Sequence, residues 1–128
     1  EAFVRAGYVA LIDDEPAVRI VIRRLLQKLG LRVLLASSGP EGIQLFKENS
    51  QEICVIVLDQ LMPGMLGSEA LPALRAIRNE VPVIVASGFG DETTKFFGGA
   101  RVECFLHKPF SIDDLNRSII ALLHKQFD

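Results

Sequence analysis

Cys54–Gly67 reads CVIVLDQLMPGMLG, an apolar run that stops at an acid, Asp59, and then passes through Pro63 and Gly64. An apolar run of this length bounded by turn formers marks a strand buried on both faces, as in a parallel sheet. Asp59 is therefore expected at the carboxyl edge of a strand. In open parallel α/β sheets the crevice outside those edges is where ligands bind, which makes Asp59 the first candidate functional residue.

On the amino-terminal side, Tyr8–Ile12 (YVALI) reads as a strand that ends in Asp13, Asp14 and Glu15. Pro16 suits a first helical turn, where its missing N–H costs nothing. Val18, Ile22, Leu25 and Leu29 then recur at helical spacing, with Val21 and Leu26 widening the stripe, and Gly30 closes the helix. Arg32–Ala36 (RVLLA) is a second strand, and Pro40 opens a helix with Ile43 and Phe46 inward. The third strand, from Ile53 to Leu58, delivers Asp59.

On the carboxyl side, a helix carries Leu71, Leu74 and Ile77 on one face, and Pro72 predicts that it starts late or bends. Pro82–Ala86 (PVIVA) is a fourth strand ending at Ser87, followed by a short helix from Asp91 to Phe97 that Gly98 and Gly99 stop. Val102–Leu106 is a fifth strand, leading into His107, Lys108 and Pro109. Ser111 caps a last helix that buries Ile112, Leu115, Ile119 and Leu122. Residues 1–7 read as a leader and 8–128 as one domain.

Strict alternation of strand and helix predicts right-handed crossovers and an α/β fold. Its core is a doubly wound, five-stranded parallel sheet of order 2-1-3-4-5 carrying five helices. The length, 128 residues at 49% hydrophobic content, suits one domain with its own core. A net charge of -2 offers no general attraction to nucleic acid or to a membrane surface. No apolar run approaches the roughly 18 residues of a membrane span. Cys54 and Cys104 lack metal-ligand or redox spacing and are expected as reduced, buried thiols in the cytoplasm. The chain begins with Glu1 rather than Met, which fits a segment of a longer protein as well as a trimmed one.

That strand order gathers the carboxyl ends of strands one, three, four and five, and with them Asp13 and Asp14, Asp59, Ser87 and Lys108. Neighbouring carboxylates repel and raise one another's pKa unless a divalent cation neutralises them. A hard-oxygen, partly hydrated site of this kind suits Mg²⁺. Asp59 is placed to act as a nucleophile toward a phosphoryl group, forming an aspartyl phosphate. Lys108 would pair with a phosphoryl oxygen, worth about 4 kcal/mol at ~4 Å and an effective dielectric near 20, before desolvation. Ser87 would donate a hydrogen bond to another oxygen. Singly, each residue has a plainer role: a turn aspartate, a helix-capping acidic pair, a surface lysine, a turn serine. Four coincidences at adjoining strand ends are what set those roles aside. His107 and His124 have no partner at ligand spacing and read as ordinary histidines.

The motifs LIDDEP (11–16), LDQLMPGMLG (58–67), ASG (86–88) and FLHKPF (105–110) together resemble the receiver domain of two-component response regulators over nearly the whole chain. The resemblance implies a flavodoxin-like fold in which Asp59 is the phosphoacceptor. It implies Mg²⁺ held directly by Asp14, through water by Asp13, and by the backbone carbonyl of Leu61. Ser87 takes the place of the switch hydroxyl, Phe105 that of the switch aromatic, and Lys108 that of the phosphoryl-binding lysine. The Lys108–Pro109 bond is implied to be cis. For Phe105 an ordinary core role stands beside the switch role.

The partner implied is a histidine kinase or histidine phosphotransfer protein, set by family analogy against the first helix, whose Arg19, Arg23, Arg24 and Lys28 form a basic side. A single-domain regulator, the receiver of a hybrid sensor kinase and a receiver joined to an effector all remain open. Two other functions compete. A phosphohydrolase of the haloacid dehalogenase type needs a second acid two positions after the nucleophile, where this chain has Leu61. A pseudo-receiver would lack one of the acids, the Ser or the Lys. Departures from the family pattern are Gln60, where an apolar residue is commoner, and Leu66, where an acid is common. Gly98, Gly99, Arg101 and Glu103 predict a shortened or reshaped fourth helix. Leu61 and Phe89 are apolar neighbours of Asp59, expected to hinder the hydrolytic water and slow loss of the phosphoryl group.

Overall fold

The computed structural model describes residues 7–88 and 92–127. Six residues of the expected leader, Phe89, and the expected helix start at Asp91 lie outside them. In chain order the elements are β1 (Tyr8–Ile12), α1 (Pro16–Lys28), β2 (Arg32–Ala36), α2 (Gly39–Asn49), β3 (Ile53–Asp59), α3 (Gly67–Ile77), β4 (Val83–Ser87), α4 (Glu92–Phe97), β5 (Cys104–His107) and α5 (Ile112–Phe127). The strands pair in parallel in the order β2-β1-β3-β4-β5.

The two-residue alternation of strand side chains builds a core on each face of the sheet. Ile12, Ile56, Leu58 and Val85 point toward α2 and α3, where they meet Phe46, Leu71 and Leu74. Leu11, Val55, Val57 and Ile84 point the other way, toward Leu26 of α1 and Leu115 and Ile119 of α5. β3 lies in the middle, and all seven of its residues are buried. Phe97 carries α4 onto the α2–α3 face.

Local chemistry explains most element ends. Ser38 Oγ accepts the Glu41 N–H at 3.2 Å while the Glu41 carboxylate takes the Ser37 N–H at 2.6 Å, so α2 starts at Gly39 with Pro40 inside its first turn. Ser111 Oγ accepts the Asp114 N–H at 3.0 Å and caps α5. Gly98, with φ +54°, ends the six-residue α4, the shortened helix that its sequence predicts.

Three expectations are corrected. α3 does not start late: it begins at Gly67 and holds Pro72 within it, at an exposed position in its second turn. β5 runs from Cys104 to His107 rather than 102 to 106, in register with Ile84–Ser87 of β4, and Glu103 precedes it with its N–H on the Val83 carbonyl. Its carboxylate accepts the Val83 N–H at 2.7 Å and pairs with Arg75 and Arg101, each at 2.9 Å. The apolar stripe of α1 is mostly not core. Leu26 alone is fully buried; Val21 is exposed on a groove between α1 and the start of α5, and Leu29 is exposed at the C-cap of α1. No helix among the described residues is long and apolar enough to cross a membrane. Cys54 is buried, Cys104 is half-buried, and they form no disulfide.

Candidate functional site

Strand register assembles the site. Ile12 pairs with Leu58, so Asp13 arrives beside Asp59; Asp59 pairs with Ala86, so Ser87 lies one step beyond; Ser87 pairs with His107, so Lys108 follows. The Lys108 amide then donates to the Ser87 carbonyl at 2.8 Å, closing that edge. Carboxylate oxygens of Asp13, Asp14 and Asp59 lie within 4.8 Å of one another.

Lys108 reaches across this cluster. Its Nζ donates to Asp59 Oδ1 at 3.2 Å and to Asp13 Oδ2 at 3.3 Å. Asp13 is buried and committed further, since its Oδ1 accepts the Glu15 N–H at 2.9 Å and its carbonyl accepts Arg19 at 2.8 Å. Asp14 is more open to solvent. Burial pushes the Asp59 carboxyl up to about 6; Asp13 pushes the same way, and Lys108 opposes both. Burial also works against the Lys108 cation, but Asp59 and Asp13 outweigh it and raise its pKa. One ammonium thus leaves negative charge uncompensated among three all-oxygen donors, and that is the donor set a hard divalent cation such as Mg²⁺ suits.

The other expected residues take these places. Ser87 is buried at the end of β4. Leu61 is 45% exposed at the rim, and an added Cβ at Gly88 would meet nothing within 4 Å, so the crevice is open on that side. Phe105 is 39% exposed and its ring stands edge-on to Phe97 at 5.7 Å, a surface position rather than a core one. The Lys108–Pro109 bond is cis.

Two contacts have no counterpart in the sequence reading. Arg19 leaves the basic side of α1 to hold the Asp13 carbonyl; nothing in a helix-face reading distinguishes it from Arg23. Gln60 is fully buried and bonds to Ser68. Its signal was available: a polar side chain following a buried strand, with a non-capping Leu66 ahead of the next helix.

The family model described as the response regulator receiver domain matches residues 9–120. The chain belongs to that family. Receiver domains serve two-component systems as phosphoacceptors, bind Mg²⁺ in an acidic site, and interact with histidine kinases or phosphotransfer proteins. This receiver is 34% identical over 119 residues to the sensor kinase CckA of Brucella abortus (strain 2308), covering 92% of this chain and 13% of that one. It spans about half the length of the mycobacterial response regulators it also matches. A receiver domain protein from Clostridium thermocellum has the same fold, with TM-score 0.87 and 30% identity over 94% of this chain and 96% of that one. The receiver of the sensor histidine kinase PA1611 from Pseudomonas aeruginosa PAO1 superposes with TM-score 0.81 and 25% identity, covering 92% and 98%. That structure has a magnesium ion coordinated in its active site cleft.

Proposed function

We propose that residues 8–128 form a receiver in which Asp59 takes a phosphoryl group from a phosphohistidine. The observation that carries this reading is the contact of Lys108 with both Asp59 and Asp13 inside a cluster of three carboxylates. Asp59 Oδ attacks phosphorus as the P–N bond breaks, and the bond pair returns to the imidazole of the donor. Asp14 and Asp59, with the Leu61 carbonyl and a water on Asp13, would hold Mg²⁺. Bound there, it would neutralise the carboxylates and screen the phosphoryl charge.

Lys108 then exchanges its carboxylate contact for a phosphoryl oxygen, and Ser87 donates to another. Phosphorylation replaces the carboxylate charge of Asp59 with an acyl phosphate of roughly -1.5 to -2, carrying three acceptor oxygens farther into the crevice, which draws Ser87 inward and favours inward rotation of Phe105. The surface of α4, β5 and α5 reports the change.

The donor docks on α1. A groove of about 450 Å³ between α1 and the α5 start is lined by Val18, Val21, Ile22, Leu25, Phe110 and Ile112, and Lys108 connects it to the crevice. Its apolar floor beside the basic side of α1 suits a helical phosphohistidine protein. A cytoplasmic setting agrees with the two cysteines, which form no disulfide. Leu61, where a dehalogenase-type hydrolase needs its second acid, supports the signalling reading over that enzyme.

The test is intact mass after incubation with Mg²⁺ and acetyl phosphate. The parent is expected to gain one labile phosphoryl group that Asp59→Asn and Mg²⁺-free samples do not gain. A folded parent that gains none from acetyl phosphate or from a phosphohistidine donor would overturn the reading.

A further inference from the structure

The two departures flanking Asp59, Gln60 and Leu66, are two halves of one arrangement. Leu66 stands at the N-cap of α3 and has no side-chain acceptor, so the first N–H groups of that helix need partners from elsewhere. Gln60 supplies them. Its carbonyl accepts the Gly67 N–H at 2.9 Å and its Oε1 accepts the Ser68 N–H at 2.7 Å. Its Nε2 donates to Ser68 Oγ at 3.0 Å, and its own N–H donates to the Ala86 carbonyl at 3.1 Å.

Every polar group of this fully buried residue is therefore engaged. Two of these bonds are main-chain and do not depend on the side chain; what the glutamine amide adds is its pair of bonds to Ser68, which pins the residue between Asp59 and Leu61 to the first turn of α3. Gly67 completes the fit: a Cβ there would stand 2.6 Å from the Asp59 carbonyl and 3.0 Å from Gln60 Oε1, so only glycine lets α3 approach this closely. An acid at position 66 would cap α3 locally and make the Gln60 side-chain bonds to Ser68 dispensable as a cap, while the Gln60 carbonyl would still accept the Gly67 N–H. Here the cap comes from the residue that joins the phosphoacceptor to the metal-ligating carbonyl.

We infer that Gln60 is a positioning residue, holding the Asp59–Leu61 segment against the α3 N-terminus so that the Leu61 carbonyl and the Asp59 carboxylate face one cation. The inference rests on the phosphoacceptor reading of Asp59. Helix capping alone would give a stability role; positioning adds a dependence of metal affinity on the same side chain.

The experiment separates the two. Mg²⁺ affinity by titration calorimetry, the Mg²⁺ dependence of acetyl phosphate labelling, and thermal midpoints are measured for the parent, Gln60→Leu, Ser68→Ala and the double variant Gln60→Leu/Leu66→Asp. Gln60→Leu is expected to weaken Mg²⁺ binding about tenfold, as loss of a ligand-orienting partner does. It should also raise the Mg²⁺ needed for half-maximal labelling while leaving the rate at saturating Mg²⁺ nearer the parent's. Ser68→Ala, which removes the Gln60 Nε2–Ser68 Oγ bond and keeps the bond from the residue-68 amide to Gln60 Oε1, is expected to weaken binding about threefold. The double variant should regain the thermal midpoint through its local cap and keep the weak affinity. Unchanged Mg²⁺ affinity in Gln60→Leu and Ser68→Ala, or affinity regained with the midpoint in the double variant, would reduce Gln60 to a helix cap. A parent that binds Mg²⁺ without labelling would count against the Asp59 reading, with the titration still deciding the role of Gln60.

Discussion

Lys108 Nζ stands 3.2 Å from Asp59 Oδ1, yet Asp59 holds its proton up to about pH 6. Burial and Asp13 outweigh the lysine. The folded pKa is above the ordinary 3.8, so this group's contribution to stability is full below that value and is lost as pH rises through 6. Asp59→Asn cannot ionise. In EDTA at pH 7.5 it is expected to be more stable than the parent by about 1 kcal/mol after allowance for solvent screening, or about 4 °C in Tm. The gap should close near pH 4; a variant that melts below the parent at pH 7.5 contradicts this.

Lys108→Met removes a cation from between two buried acids. In EDTA the variant is expected to lose about 1–2 kcal/mol, because Asp13 and Asp59 then face each other with no ammonium between them. Mg²⁺ supplies the missing charge, so the rise in Tm on adding Mg²⁺ should be larger for Lys108→Met than for the parent. Labelling by acetyl phosphate should fall at least about tenfold, through loss of the counter-ion to the phosphoryl group.

Glu103 binds the start of β4 to Arg75 and Arg101. Burial pushes its carboxyl up, but the Val83 amide and the two arginines outweigh burial and hold it below the usual glutamate value. Its contribution is therefore present above that value and lost as pH falls through the depressed pKa. Glu103→Ala is expected to cost about 1–3 kcal/mol at pH 7, read from urea midpoints, and less near pH 4. A deficit that grows on acidification would contradict this sign.

Leu61 presents an apolar, 45% exposed side chain at the rim beside Asp59. Leu61→Asn offers a hydrolytic water a hydrogen-bond partner there. The phosphoryl half-life, followed by mass after removing acetyl phosphate, is expected to shorten about fivefold or more. No shortening would mean that this side chain does not shield the phosphoryl group.

The convergence of Asp13, Asp59 and Lys108 was legible because it depends on strand ends, and buried strands announce their ends by a change from apolar to turn-forming residues. β3 is readable for that reason: all its residues are inward. β5 is harder to read, since its half-buried pattern carries no continuous apolar run and Glu103 takes part in a network fed by α3. The stripe on α1 has core periodicity but lines a groove, and periodicity cannot tell the two apart. The roles of Gln60 and Arg19 depend on contacts across turns, to Ser68 and to the Asp13 carbonyl, which have no periodic signature.

The full enclosure of β3 has a last consequence. A strand packed on both faces and hydrogen-bonded on both edges cannot shift without disrupting both cores, so Asp59 is a stationary post. On the proposed reading, a phosphoryl charge at that post would act on neighbouring elements that yield more readily than β3. The shortest of the described helices and strands are the six-residue α4 and the four-residue edge strand β5, joined by the contact of exposed Phe105 with buried Phe97. A yielding element has a small free-energy gap between its arrangements, and a small gap turns a modest charge perturbation into a large change in population.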